Sequence, residues 1–304
     1  MINNFIGEIA ALSAAFLWAA ASVVYTRLGV RIPPLQLNFY KGTIAIALIS
    51  ITLVWQRASF TNLSLFPVTL LFISGVVGIG LGDTAYFAAL NSLGARRTLL
   101  LETLSPPIGA LLAWIFIGEQ LVPLAWCGIF LTLLGIVWVI SERNRASVNS
   151  RGILRNAHVG IIWAMLAAIA QASGAVISRF ALLQSDISPL ESSLIRLVAG
   201  SFIVVLLLLL PYSSKIQQSQ IQWRLSLKSL GAIAIAAFGS TYLGIWLQQT
   251  SLKFAPTGIA QTLLATSPLF ILPIVAFMGE KISIRAILGV LLAIGGITLL
   301  FFGR

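Results

Sequence analysis

Long tracts of the chain carry no Lys, Arg, Asp or Glu, among them 9–26, 58–82, 120–141, 229–252 and 254–279. Each reaches or exceeds the roughly 17–25 residues that let one helix cross a bilayer core. Within them apolar positions run on continuously and do not alternate, which predicts membrane helices, not barrel strands. Charges, prolines and polar clusters divide the chain into ten spans, near 5–27, 35–55, 66–90, 97–117, 121–141, 157–182, 190–211, 228–251, 257–278 and 283–303. The first has no basic segment before it, carries Glu8 and runs straight into further spans, so it reads as a retained helix and not a cleaved leader.

The ten spans fall into two sets. The most polar linker, "SERNRASVNSRGILRN", occupies 141–156 and divides the chain near its middle. On either side of it "LNSLGARRTLLLETLSP" (90–106) and "LKFAPTGIAQTLLATSP" (252–268) match in length and in their ends. Gly78 corresponds to Gly239, Lys41 after Pro34 to Arg196 after Pro189, and Glu119 to Glu280. A consistent order of such matches indicates duplication. The expected organisation is a first five-helix repeat over 1–141, a basic linker over 142–156 and a second repeat over 157–304. Five is odd, so the second copy enters the membrane from the opposite face. The fold class expected is therefore all-α and polytopic, with ten transmembrane helices in two inverted repeats, a plan that recurs among secondary transporters.

Spans four and nine each hold helix breakers at matching places. "LSPPIGALLAWIFIGEQL" starts at Leu104 and "TSPLFILPIVAFMGEKI" at Thr266, both ending in Gly-Glu. Pro106, Pro107, Pro268 and Pro273 have no N–H to donate and free carbonyls at membrane depth. Such backbone is tolerated where protein or a wet cavity satisfies it, so the breaks at Ser105 and Ser267 point to a cavity. An ordinary kink is the other reading.

This pattern resembles the EamA-type branch of the drug/metabolite transporter superfamily, with ten helices. The "LWAAASVVYTRL" of span one is similar to that family's opening segment. "AALNSLGARRTLLLETLSPPIGALLAWIFIGEQL" and its second copy are similar to its most recognisable stretch. The resemblance covers essentially the whole chain. It implies gradient-driven export or exchange of small metabolites across the plasma (inner) membrane, with both termini in the cytoplasm, and it selects no substrate.

Away from the span ends, four charges fall inside spans: Lys41, Asp83, Glu102 and Arg196. Lys41 and Arg196 either snorkel to the headgroups or line the cavity, one per repeat, where they would favour a carboxylate or phosphate. Asp83 and Glu102 are candidates for proton coupling, because intramembrane acids default to function. A static ion pair, Lys41 with Asp83, is the competing reading. Trp18, Ser22, Tyr86, Gln171, Ser173, Tyr242, Trp246 and Gln248 form a candidate pocket, mostly aromatic with a few orienting polar groups. Glu119 and Glu280 follow glycines at span ends and read as caps or loop anchors.

Composition agrees: 59% of residues are hydrophobic, 9% charged, and mean hydropathy is +1.00. The net charge of +11 would suggest nucleic acid for a soluble protein; here its position in loops between spans makes it a matter of orientation. Thirteen of the nineteen basic residues follow odd-numbered spans, against four on the other side, which by the positive-inside rule puts the termini outside. That opposes the orientation implied by the resemblance. Glycines 78, 80 and 82 alternate without a preceding strand, so they form no dinucleotide loop. The single His158 and single Cys127 make no metal site and no internal disulfide. With no catalytic motif and no Gly-Lys pair, neither an enzyme nor a nucleotide-driven pump is expected. No cofactor is expected either, and the partners are the bilayer, a small metabolite and, as a coupling option, protons. A receptor, an assembly factor and a channel-like facilitator are the alternatives; the oligomeric state stays open.

Overall fold

The structure is a computed structural model that describes residues 5–29, 32–57, 64–93, 95–141, 157–209, 225–277 and 283–302. Among the described residues there is no strand. The helices are α1 (Ile6–Gly29), α2 (Pro34–Trp55), α3 (Leu65–Gly75), α4 (Asp83–Leu93), α5 (Ala95–Glu102), α6 (Ser105–Ile117) and α7 (Pro123–Ser141), followed by α8 (Ala157–Leu183), α9 (Pro189–Leu209), α10 (Leu227–Ala237), α11 (Gly244–Phe254), α12 (Thr257–Leu264), α13 (Ser267–Phe277) and α14 (Ile284–Phe302). Nine stretches of the described residues are long and apolar enough to cross a membrane, and a shorter apolar one covers Thr257–Pro273. With that tenth stretch the fold is the expected all-α, ten-span membrane architecture in two repeats. The linker over 142–156, Glu280 and most of the loop arginines lie outside the described residues.

The repeats interlock. α1 packs against α11, α12 and α13 of the other half, α8 against α3, α4 and α6, and the fifth spans α7 and α14 pair with each other. The buried faces of α1 and α8 are rich in alanine, including Ala11, Ala14 and Ala15 in one and Ala164, Ala167 and Ala168 in the other. Small residues let membrane helices approach closely where lipid supplies no hydrophobic drive. Large apolar residues such as Trp55, Phe116, Ile284 and Phe302 are exposed, as a lipid-facing surface requires.

Spans three and eight depart from regular helix at corresponding positions. A π-helical segment, Val76–Gly82, joins α3 to α4, and another, Phe238–Leu243, joins α10 to α11. Close packing borders the first. Gly75 lies directly on the Arg196 backbone, where a Cβ would overlap main-chain atoms, and Ser74 Oγ donates to Gly174 O at 2.7 Å. Such π segments cluster at functional sites.

Spans four and nine break where the prolines predict. α5 stops at Glu102 and α6 restarts at Ser105, with prolines in its first turn. α12 stops at Leu264 and α13 restarts at Ser267. Local hydroxyls take up carbonyls at the breaks: Thr103 Oγ1 donates to Leu100 O at 2.6 Å, Thr266 Oγ1 to Leu263 O at 2.6 Å, and Ser267 Oγ to Leu264 O at 3.0 Å. Pro273 lies inside α13.

Candidate functional site

Between the repeats is a cavity of about 640 Å³. Its wall comes from the first four spans of each repeat, and neither α7 nor α14 contributes to it. Both helix breaks open onto it through Ser105, Pro106, Ser267 and Pro268, and so do both π segments, through Ile79 and through Ser240 with Thr241.

In the π segment of span eight the Ser240 carbonyl accepts from the Trp18 indole, Nε1 donating at 2.8 Å. Ser240 Oγ donates to Ala236 O at 2.7 Å and lies 3.1 Å from Tyr25 OH. Ser22 Oγ turns back on Ala19 O at 2.7 Å. These bonds fix α1 against span eight and hold one wall.

The opposite wall carries the charges. Lys41 Nζ donates to Asp83 Oδ2 at 2.7 Å, with side-chain exposures of 11% and 18%. Gln171 Nε2 donates to Asp83 Oδ1 at 3.0 Å, so both carboxylate oxygens are engaged. Lys41 Nζ also sits 5.1 Å from the centroid of the Phe87 ring. The expected alternative of a Lys41–Asp83 ion pair is therefore the arrangement in the structure. Glu102 and Arg196 differ. Glu102 Oε1 has no hydrogen-bond partner. Arg196 is 1% exposed, and its Nε and Nη1 have none. Ser105 Oγ and Gln261 Nε2, both on the wall, are also unpartnered.

Of the pocket candidates read from sequence, Trp18, Ser22, Lys41, Tyr86, Gln171, Arg196 and Gln248 line the cavity, together with Asp83 and Glu102. Ser173, Tyr242 and Trp246 do not. Tyr242 is buried in an apolar cluster with Ile49, Leu53 and Leu197, and its hydroxyl meets Thr52 Oγ1 at 2.9 Å. Trp246 packs against the same cluster, and Ser173 is half-buried on α8 away from the wall. Pro107 stands in the first turn of α6 without reaching the cavity. The sequence reading missed Tyr25, Thr103, Thr241 and Gln261. A lone glutamine in the apolar run of α12 was a usable signal; Thr103 and Thr241 are indistinguishable from ordinary small polar residues in membrane helices, and Tyr25 from an aromatic near a span end.

Glu119 lies away from the cavity and does what a cap does, across the repeat boundary. α6 ends at Gly118, whose φ of 74 is left-handed and turns the chain so that the next residue leaves the helix axis. Glu119 Oε1 then accepts from Arg179 Nε at 2.7 Å, and Oε2 accepts from the Thr257 N–H at 2.8 Å. That satisfies a free amide in the first turn of α12, whose N-cap, Pro256, offers no side-chain cap. Arg179 Nη1 in turn donates to Leu252 O and Lys253 O, at 2.8 and 2.7 Å.

The sequence model of a family described as "EamA-like transporter family" matches residues 5–141 and again 158–302. An uncharacterized transporter of Archaeoglobus fulgidus is 24% identical over 291 residues, 95% of each chain. The permease-like protein YdzE of Bacillus subtilis is 34% identical over 71 residues, 23% of this chain and 91% of its own. A protein of known crystal structure superposes with a TM-score of 0.80 at 16% identity, over 99% of both chains, which is a likeness of fold.

Proposed function

We propose, for a chain that belongs to the EamA-like transporter family, that it is a secondary active transporter of the plasma (inner) membrane. It exports or exchanges a small polar or zwitterionic metabolite, an amino acid or an organic acid, by alternating access. The observation that carries this reading is the charged cavity itself, enclosed by the first four spans of both repeats and bordered by both helix breaks. Inverted repeats meeting at broken helices can rock about such a site and open it to each side in turn. The wall combines aromatic and apolar surface with few polar groups, as small-molecule sites do.

Of the two acids, Glu102 is the better proton carrier. Asp83 has both oxygens occupied by Lys41 and Gln171, whereas Glu102 has an oxygen without a partner beside the cavity. A carboxyl group so placed can gain or lose its proton without breaking an existing bond. Counterflow of labelled metabolites into proteoliposomes, with and without an imposed pH gradient, tests the proposal. The wild type is expected to accumulate its substrate in response to the gradient. Glu102→Gln is expected to exchange substrate at equal pH but to lose that response. Gradient-driven uptake that persists in both Glu102→Gln and Asp83→Asn refutes the coupling assignment, and flux that never rises above empty liposomes refutes transport.

A further inference from the structure

The two cations of the cavity are not equivalent, although duplication placed them at the same register. Lys41 stands seven residues after Pro34, and Arg196 seven after Pro189. In the first repeat Asp83 meets Lys41. The same alignment that pairs Gly78 with Gly239 puts Gly244 where a second carboxylate would have to be. Arg196 is accordingly left with no acceptor for Nε or Nη1, although it is almost fully buried.

Its position is fixed by span three. The α9 backbone at Arg196 presses on Gly75, and the guanidinium lies against Gly78, where an added Cβ would stand 3.1 Å from Nη2. Asp83 lines the same cavity as Arg196, but its oxygens are already held by Lys41 and Gln171. A buried cation with free donors, held rigidly on a cavity wall, is costly on its own and becomes favourable when an anion completes it.

We infer that Arg196 is the subsite for the substrate's carboxylate, and that it takes a head carrying one negative charge. This rests on the transport reading above and narrows its substrate class. Lys41, Asp83 and Arg196 together leave one positive charge in excess, and Glu102 adds none while it carries a proton. One carboxylate balances that excess. A dicarboxylate or a doubly charged phosphate overshoots it inside a poorly solvated site. The guanidinium's planar fork also suits a carboxylate's two oxygens.

The test uses the full chain in detergent, read by thermal shift, and the same chain in proteoliposomes. The probes are a panel of aliphatic and aromatic α-amino acids, the monocarboxylic acids lacking the amino group, the matching amides, succinate and inorganic phosphate. At least one monocarboxylate is expected to stabilise the protein, with its amide inert. Arg196→Gln is expected to weaken that binding at least about tenfold, as loss of a charged hydrogen-bond partner does, and Arg196→Lys to restore part of it. Gly78→Ala, which crowds the guanidinium without removing it, gives a second variant if Arg196→Gln fails to fold. It is expected to weaken the same binding. Amides that bind as well as acids, a preference for succinate or phosphate, no response to any carboxylate, or unchanged binding in the variants would each overturn the assignment. Carboxylate binding without flux removes the transport reading and leaves the subsite, whereas flux of neutral or cationic compounds that ignores Arg196→Gln does the reverse.

Discussion

Glu119→Ala is expected to destabilise the folded protein by about 3–5 kcal/mol, the usual effect of removing one partner from a buried ion pair. The Arg179 side chain is 11% exposed and that of Glu119 12%, so solvent cannot readily replace the lost carboxylate. The substitution also frees the Thr257 N–H at the start of α12, adding the loss of a helix cap, about 1 kcal/mol. The effect should reach beyond the loop, because Glu119 belongs to the first repeat and both groups it holds belong to the second. A melting curve in detergent measures it. Arg179→Met added to Glu119→Met should recover much of the loss, since no charge is then stranded. A Glu119→Ala protein that melts like the wild type would show the contact to be incidental.

Asp83→Asn has the second large effect, and it reads out in selectivity as well as stability. Removing the carboxylate strands the Lys41 ammonium and weakens the bond from Gln171, a loss of about 1.5–3 kcal/mol for a charged hydrogen-bonded pair. It also leaves the cavity with two uncompensated cations, Lys41 and Arg196. Competition assays in proteoliposomes should then show preference moving from monocarboxylates toward dicarboxylates. Lys41→Met in the same background should reverse that shift. If selectivity stays with monocarboxylates while stability falls, the Lys41–Asp83 pair is a strut and has no part in substrate choice.

Much of this was legible in the sequence because membrane burial is written in charge. Tracts without charge, bounded by charges, prolines and polar clusters, placed the spans, and the prolines after Ser105 and Ser267 placed both breaks, since a missing N–H acts locally wherever it falls. The Lys41–Asp83 pair was readable as an option, because a buried lysine and a buried aspartate have few other solutions. The π segments were not legible. The close contact beside the first is with Arg196, 121 residues away in the chain. Glycines 75, 78 and 82 signalled close approach but not the wider turn. Tyr242 and Trp246 were assigned to the pocket because they are aromatic residues within a span, and the structure places them with the apolar cluster around Ile49 and Leu197. The Glu119 cap was legible as a cap but not as a bridge between repeats, because its partners lie 60 and 138 residues on.

The most direct measurement is the accessibility of the cavity from each face. In a Cys127→Ser background, single cysteines at Ser22 and Ser267, one from each repeat and both on the cavity wall, would be exposed to a charged, membrane-impermeant thiol reagent added to one side of oriented vesicles. Alternating access predicts labelling at both positions from one face, moving to the other face when substrate or a pH gradient is applied. Labelling by lipid-soluble reagents alone, or from a single face under every condition, would contradict it.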